Sequence, residues 1–144
     1  QPLVAATSTA AAIQLNDRFG TRVGDPETIS LSEADFGLVL VAQRLHATTD
    51  EGRKTLIKKA YDSLASGGRL VVIDLFRGPT KPSLTETIEA LRVHSGTGGT
   101  GQGRMQSIEG LQSMLKDRGL TDIRFTFIEA SRVNFGMMVA TKPV

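Results

Sequence analysis

The chain has 144 residues, 40% of them hydrophobic, the size and make-up of one domain able to bury a core. Its net charge of +2 comes from interspersed acids and bases, and the one basic doublet, Lys58-Lys59, shares a helix with Asp50, Glu51 and Asp62, which excludes a nucleic-acid stripe. Cysteine is absent, excluding disulfides and thiolate metal sites, and no run approaches the about 18 apolar residues that cross a membrane.

The opening Gln1-Pro-Leu-Val lacks both an initiator Met and the basic-then-apolar order of a signal peptide. The expectation is a cytoplasmic chain that is a processed product or a fragment. Residues 5–17 are Ala-rich and predict a helix ended by Arg18-Phe-Gly. Residues 21–31 hold the turn signature Gly24-Asp25-Pro26 and read as a connection with at most a short strand. Phe36 to Val41 is an unbroken apolar run, which predicts a strand covered on both faces.

Thr48, Thr49 or Asp50 can cap the next helix, expected to reach about Ala65. Leu56, Ile57, Ala60, Tyr61 and Leu64 recur along it at helical spacing. Gly67-Gly68 stops that helix, and Arg69 to Phe76 gives a second buried strand. A Pro/Gly loop follows, then Ser83-Leu-Thr-Glu86 fits a capping box opening a helix through about Val93. Residues 96–103 form a Gly/Thr stretch. Ser107 can cap a helix containing Ile108, Leu111, Met114 and Leu115, with Gly119 at its C′ position. Residues 122–129 and 134–141 read as two strands joined too tightly for a crossover helix, hence antiparallel.

The order α-β-α-β-α-α-β-β describes a parallel α/β sheet that ends in an antiparallel hairpin. With only two parallel strands at its centre, such a sheet lacks partners for its edges. The chain has the pattern of the second half of a larger unit. In open α/β sheets ligands sit beyond the carboxyl ends of the strands. His46, just past the first strand, and Asp74, ending the second, can therefore meet at one site.

Several segments resemble one family. Glu33-Ala-Asp before an apolar strand, Leu45-His46 after it, a Leu- and Lys-containing helix, and Gly67-Gly-Arg-Leu-Val-Val-Ile-Asp74 are similar to the class I S-adenosylmethionine-dependent O-methyltransferases. The small-molecule subgroup acting on caffeate, hydroxyindole and polyketide compounds is the nearest likeness. Gly24-Asp25 resembles that family's Gly-Asp before its fourth strand. The final helix and hairpin resemble its last helix and strands six and seven. The likeness spans nearly the whole chain but only the C-terminal part of the family's catalytic domain, and it implies a partial Rossmann-like fold. The family's Gly-rich cofactor loop would lie upstream of Gln1, as would its N-terminal dimerisation domain.

The resemblance implies S-adenosylmethionine as cofactor, with Asp25 at its adenine end, and a phenolic or polyketide-like hydroxyl as acceptor. His46 becomes the general base, a role that suits a side chain titrating near neutrality. Asp74 becomes its orienting partner. Leu91, His94 and Met105 are candidates for the acceptor pocket, and no metal is implied. The implied partner is a complementary N-terminal methyltransferase segment or a full-length homologue, in a split or nicked enzyme, with neither nucleic acid nor membrane as partner. The chain departs from the pattern at His46-Ala47-Thr48, where the family has His-Asp-Trp, and at Gly103-Arg104, where a Glu precedes the Arg.

Other roles remain open for these residues. His46 could be a polar loop residue, and Asp74 or Asp25 a turn former. Gly96-Thr-Gly98-Gly-Thr-Gly101 spells the dinucleotide fingerprint but neither follows a strand nor opens a helix, so it reads as a loop. Met137 and Met138 read as core. At the level of function, Gly103 favours a methyltransferase-like protein with pericyclic, hydroxylating or decarboxylating chemistry. A non-catalytic partner subunit is the third reading.

Overall fold

Two parallel strands bridged by one helix, then a helix and a hairpin, build the molecule. The computed structural model describes residues 2–15, 17–77, 84, 87–88, 91, 105–128 and 135–144. The elements are α1 (Pro2–Ala12), β1 (Phe36–Ala42), a 3-10 turn (Leu45–Ala47), α2 (Asp50–Ser63), β2 (Leu64–Arg77), β3 (Gln106–Ser107), α3 (Ile108–Asp117), β4 (Thr121–Phe127) and β5 (Phe135–Thr141). Leu84, Thr87, Ile88 and Leu91 are helical, within the segment expected to be a helix. The rest of that segment, the Gly96–Gly101 stretch and Gly103-Arg104 lie outside the described residues, as does the break expected after Glu129.

The sheet runs β1-β2-β5-β4, with β3 appended to β2. β1 and β2 are parallel, whereas β5 pairs antiparallel with both β2 and β4. The mixed sheet and terminal hairpin are as expected. β3 is new: Gln106 and Ser107 pair parallel with Phe76 and Arg77 at the end of β2.

Helix ends follow local chemistry. α1 stops at Ala12 rather than near Asp17, because Gln14 turns left-handed (φ 58°). The amides of Gln14 and Leu15 then close back on the carbonyls of Ala11 and Ala10. Thr49 caps α2 by accepting from the Gly52 amide at 2.9 Å, and Ser107 caps α3 by accepting from Gly110 at 3.0 Å. Gly119 closes α3 with φ 94°, as its spacing predicts. α2 ends at Ser63, two residues early. The chain is already extended at Leu64, and the Lys142 ammonium donates to the carbonyls of Tyr61 and Leu64 at 3.0 and 2.7 Å. Gly68 admits no side chain there, since a Cβ would lie 2.8 Å from the Ala65 carbonyl oxygen.

α2 and α3 cover one face of the sheet. Leu56, Ile57, Ala60, Leu111 and Leu115 pack there on Leu64, Leu70, Val72, Phe76, Met138 and Ala140. Met138 is buried as expected, whereas Met137 faces the other side and is half-buried. Asp62 ties the two helices together, accepting from Lys58 at 2.5 Å and from Arg118 at 2.9 Å. Burial pushes the Asp62 carboxyl up, but the hydrogen bonds and charges of Lys58 and Arg118 outweigh this and hold it below its ordinary 3.8. Its stabilising contribution is therefore present at neutral pH and is lost as pH falls through that lowered value.

Gly136 sits opposite Asp74 on β5, where the Phe76 and Phe125 rings meet edge to face at 5.0 Å. A Cβ there would lie 2.5 Å from Phe125 and 2.8 Å from Phe76. Gly136→Ala is expected to destabilise the fold by about 1–3 kcal/mol through overpacking, measured by urea unfolding. An unchanged midpoint would show that both rings can yield.

β1 departs from expectation. It is not covered on both faces: Val39 and Val41 pack on the core, but Phe36, Leu38 and Leu40 are 40%, 58% and 54% exposed. Among the described residues β1 pairs with β2 alone, which leaves its other edge open. The apolar run is a strand, as expected; among the described residues nothing covers Leu38 and Leu40 on its second face.

Candidate active site

β1 and β2 both end at the same side of the sheet because they are parallel, and α2 carries the chain back between them. After Ala42 the backbone turns through Gln43 (φ 49°), whose amide donates to the Ile73 carbonyl at 2.7 Å. The 3-10 turn follows and sets Leu45-His46 against Asp74, near the end of β2. Asp74 there is fully buried.

The Asp74 carboxylate organises the site. Oδ1 lies 2.5 Å from His46 Nδ1 and accepts from the Leu75 amide at 2.7 Å. Oδ2 accepts from the Leu45 amide at 2.7 Å and from the His46 amide at 3.4 Å. A carboxylate is acceptor-only, so its contact assigns the proton to Nδ1 and leaves the Nε2 lone pair as the basic site. The imidazole side chain is 18% exposed, enough to reach a ligand at the sheet end. The pairing expected from the sequence is thus the geometry of a base with its orienter.

Asp25 is at this same end. Its Oδ1 caps its own turn, accepting from the Glu27 amide at 2.8 Å. Arg44, two residues before His46, reaches the same oxygen at 3.8 Å. The side chain is 55% exposed, and so available to a ligand, but its turn-forming role is also realised.

The other expected residues are more scattered. Met105 is half-buried and lines a cavity of about 320 Å³ with Asp50, Arg77, Gln106 and Met114. Leu91 is 60% exposed and is not among the walls of that cavity. His94 lies outside the described residues. Among the described residues no cluster of three His, Asp or Glu side chains could hold a metal ion, and no helix is long and apolar enough to cross a membrane.

Sequence reasoning missed Arg53. It is 1% exposed and holds the turn from the side opposite Asp74. Its Nε donates to the Leu45 carbonyl at 2.8 Å, which also accepts from Thr48 Oγ1 at 2.9 Å. Its Nη1 meets Asp50 at 2.5 Å. The signal was available: Arg53 occupies the same helical stripe as Leu56, Ile57 and Ala60, where a charge is unexpected.

No family model and no curated protein matches the sequence. Solved structures do match in fold. The S-adenosylmethionine-dependent methyltransferase SibL in its apo form superposes with a TM-score of 0.78 at 26% identity, over 99% of this chain and 41% of that one. An O-methyltransferase family 2 protein from Planctomyces limnophilus, solved with apigenin, gives 0.73 at 22% identity, over 97% and 39%. Human N-acetylserotonin methyltransferase, solved with S-adenosylmethionine, gives 0.69 at 21% identity, over 92% and 38%. The chain spans about two fifths of the length of these neighbours. It has the fold of the C-terminal part of a class I S-adenosylmethionine-dependent O-methyltransferase.

Proposed function

We propose that this chain supplies the base and acceptor side of a small-molecule O-methyltransferase whose cofactor loop is carried by a complementary segment. The observation that carries this reading is the His46–Asp74 pair, held at 2.5 Å at the end of two parallel strands of the matching fold. S-adenosylmethionine, when bound, supplies an electrophilic methyl group. Asp25, exposed at the same end of the sheet, is the residue we assign to its adenine end. In this reading the Gly-rich loop that cradles its methionine end belongs to the complementary segment.

The chemistry required of the protein is small. His46 Nε2 takes the proton of the acceptor hydroxyl as that oxygen bonds to the methyl carbon and the carbon–sulfur bond breaks. Asp74 keeps Nδ1 protonated and stabilises the imidazolium that forms. Positioning of oxygen and methyl supplies much of the rate. The open edge of β1 is the surface on which the complementary segment pairs, adding a strand beside Phe36–Ala42 and covering Leu38 and Leu40. That partner is methyltransferase sequence containing the Gly-rich loop, on this polypeptide or another.

The test is transfer of radiolabelled methyl from S-adenosylmethionine to a panel of phenols, with this chain and such a segment present together and singly. Product that depends on both is expected. Cofactor retained by the assembly without any methylated product, across the panel, would instead favour the non-methylating chemistry to which Gly103 points.

A further inference from the structure

We infer that Arg53 is a positioning residue for His46, and that it locks the His46 turn to β3 through Gln106. Leu45 precedes His46, and its backbone is gripped from two elements at once. Its amide donates to Asp74 on β2, and its carbonyl accepts from Arg53 on α2. With the peptide groups on both sides of Leu45 held, the direction in which His46 leaves the backbone is fixed too.

Gln106 completes the link. Oriented with its amide oxygen toward the guanidinium, it accepts from Arg53 Nε at 2.6 Å and from Nη1 at 2.8 Å. It is 8% exposed, and the neighbouring Met105 lines the cavity beside it. β3 is only two residues long and is held by its pairing with Phe76 and Arg77. Arg53 is thus the joint at which three elements meet: the turn bearing the base, the first turns of α2, and the strand beside the Met105 cavity.

Burying a guanidinium is costly when its ionic partner, Asp50, is itself 65% exposed. An aliphatic side chain would fill the same space without that penalty. Only the planar fork of arginine meets a peptide carbonyl, a carboxylate and an amide oxygen together. Lysine carries the charge but cannot reproduce that fork. The role assigned to Arg53 rests on the reading of His46 as base only for its effect on rate.

The test reads the His46 ring directly, which keeps it separate from the success of methyl transfer. The full chain has only two histidines, His46 and His94, so a ¹⁵N-edited imidazole spectrum is assignable with a His94→Gln variant. Wild type is expected to show the Nδ1–H form of His46 with a downfield, slowly exchanging proton. Arg53→Lys should remain folded by circular dichroism yet lose that slow proton, giving mixed tautomers. Gln106→Leu should weaken it in the same direction. In the assembled enzyme Arg53→Lys should lower kcat about 10- to 100-fold with the acceptor KM little changed, the mark of a misplaced base. An Arg53→Lys protein whose His46 tautomer and proton exchange match wild type overturns the proposal. So does a loss of kcat in Arg53→Lys that merely tracks loss of folded protein.

Discussion

Replacing Asp74 by Asn is expected to lower methyl transfer by the assembled enzyme about 10²–10⁴-fold. The carboxamide is nearly the same shape, so the loss would come from chemistry rather than space. Asp74 accepts from the amides of Leu45, His46 and Leu75 and from His46 Nδ1. An Asn oxygen can keep part of that set, but its NH2 group must then face a donor or turn the imidazole over. If it faces Nδ1, the ring is driven to the Nε2–H tautomer and the basic lone pair points away from the acceptor. The weakened charge-assisted hydrogen bonds should also destabilise the fold by about 1–3 kcal/mol, since Asp74 is fully buried. Urea unfolding and a methyl-transfer assay on the same preparation separate the two effects. A variant with unchanged activity would remove Asp74 from the mechanism.

His46→Ala should lower activity over a similar range, about 10²–10⁴-fold, with little effect on stability. The ring is partly exposed, and three backbone amides still satisfy Asp74 after its removal. Because Asp74 acts through His46, the effects should not add: Asp74→Asn in a His46→Ala background should cost no further activity. Steady-state rates of the single and double variants check this. Additive losses would mean that the two residues serve separate steps.

What could be read from the sequence followed from local signals. The run Phe36–Val41, the helical spacing of Leu56, Ile57 and Ala60, and the apolar run of Leu70 to Ile73 give β1, α2 and β2, and with them the meeting of His46 and Asp74, whereas Gly67-Gly68, expected to stop the helix, lie inside β2. Ser107 and Gly119 bound α3 by capping chemistry that needs no tertiary partner. Other features depend on packing that no local pattern carries. The exposure of Leu38 and Leu40 depends on what lies beside β1, since an apolar strand reads alike whether one face is covered or two. β3 is too short to have a period and exists through its pairing with the end of β2. Arg53 looks like a solvated helical charge until Leu45, Asp50 and Gln106 are seen around it. The early end of α1 rests on Gln14 adopting a left-handed conformation more usual for glycine.

The most direct measurement is native mass spectrometry of this chain with S-adenosylmethionine, with and without a complementary segment carrying the Gly-rich loop. An assembly of both pieces retaining the cofactor, beside a lone chain that retains none, is the expected result. A lone chain that binds the cofactor by itself, or an assembly that binds none, would contradict the division of the site proposed for this protein.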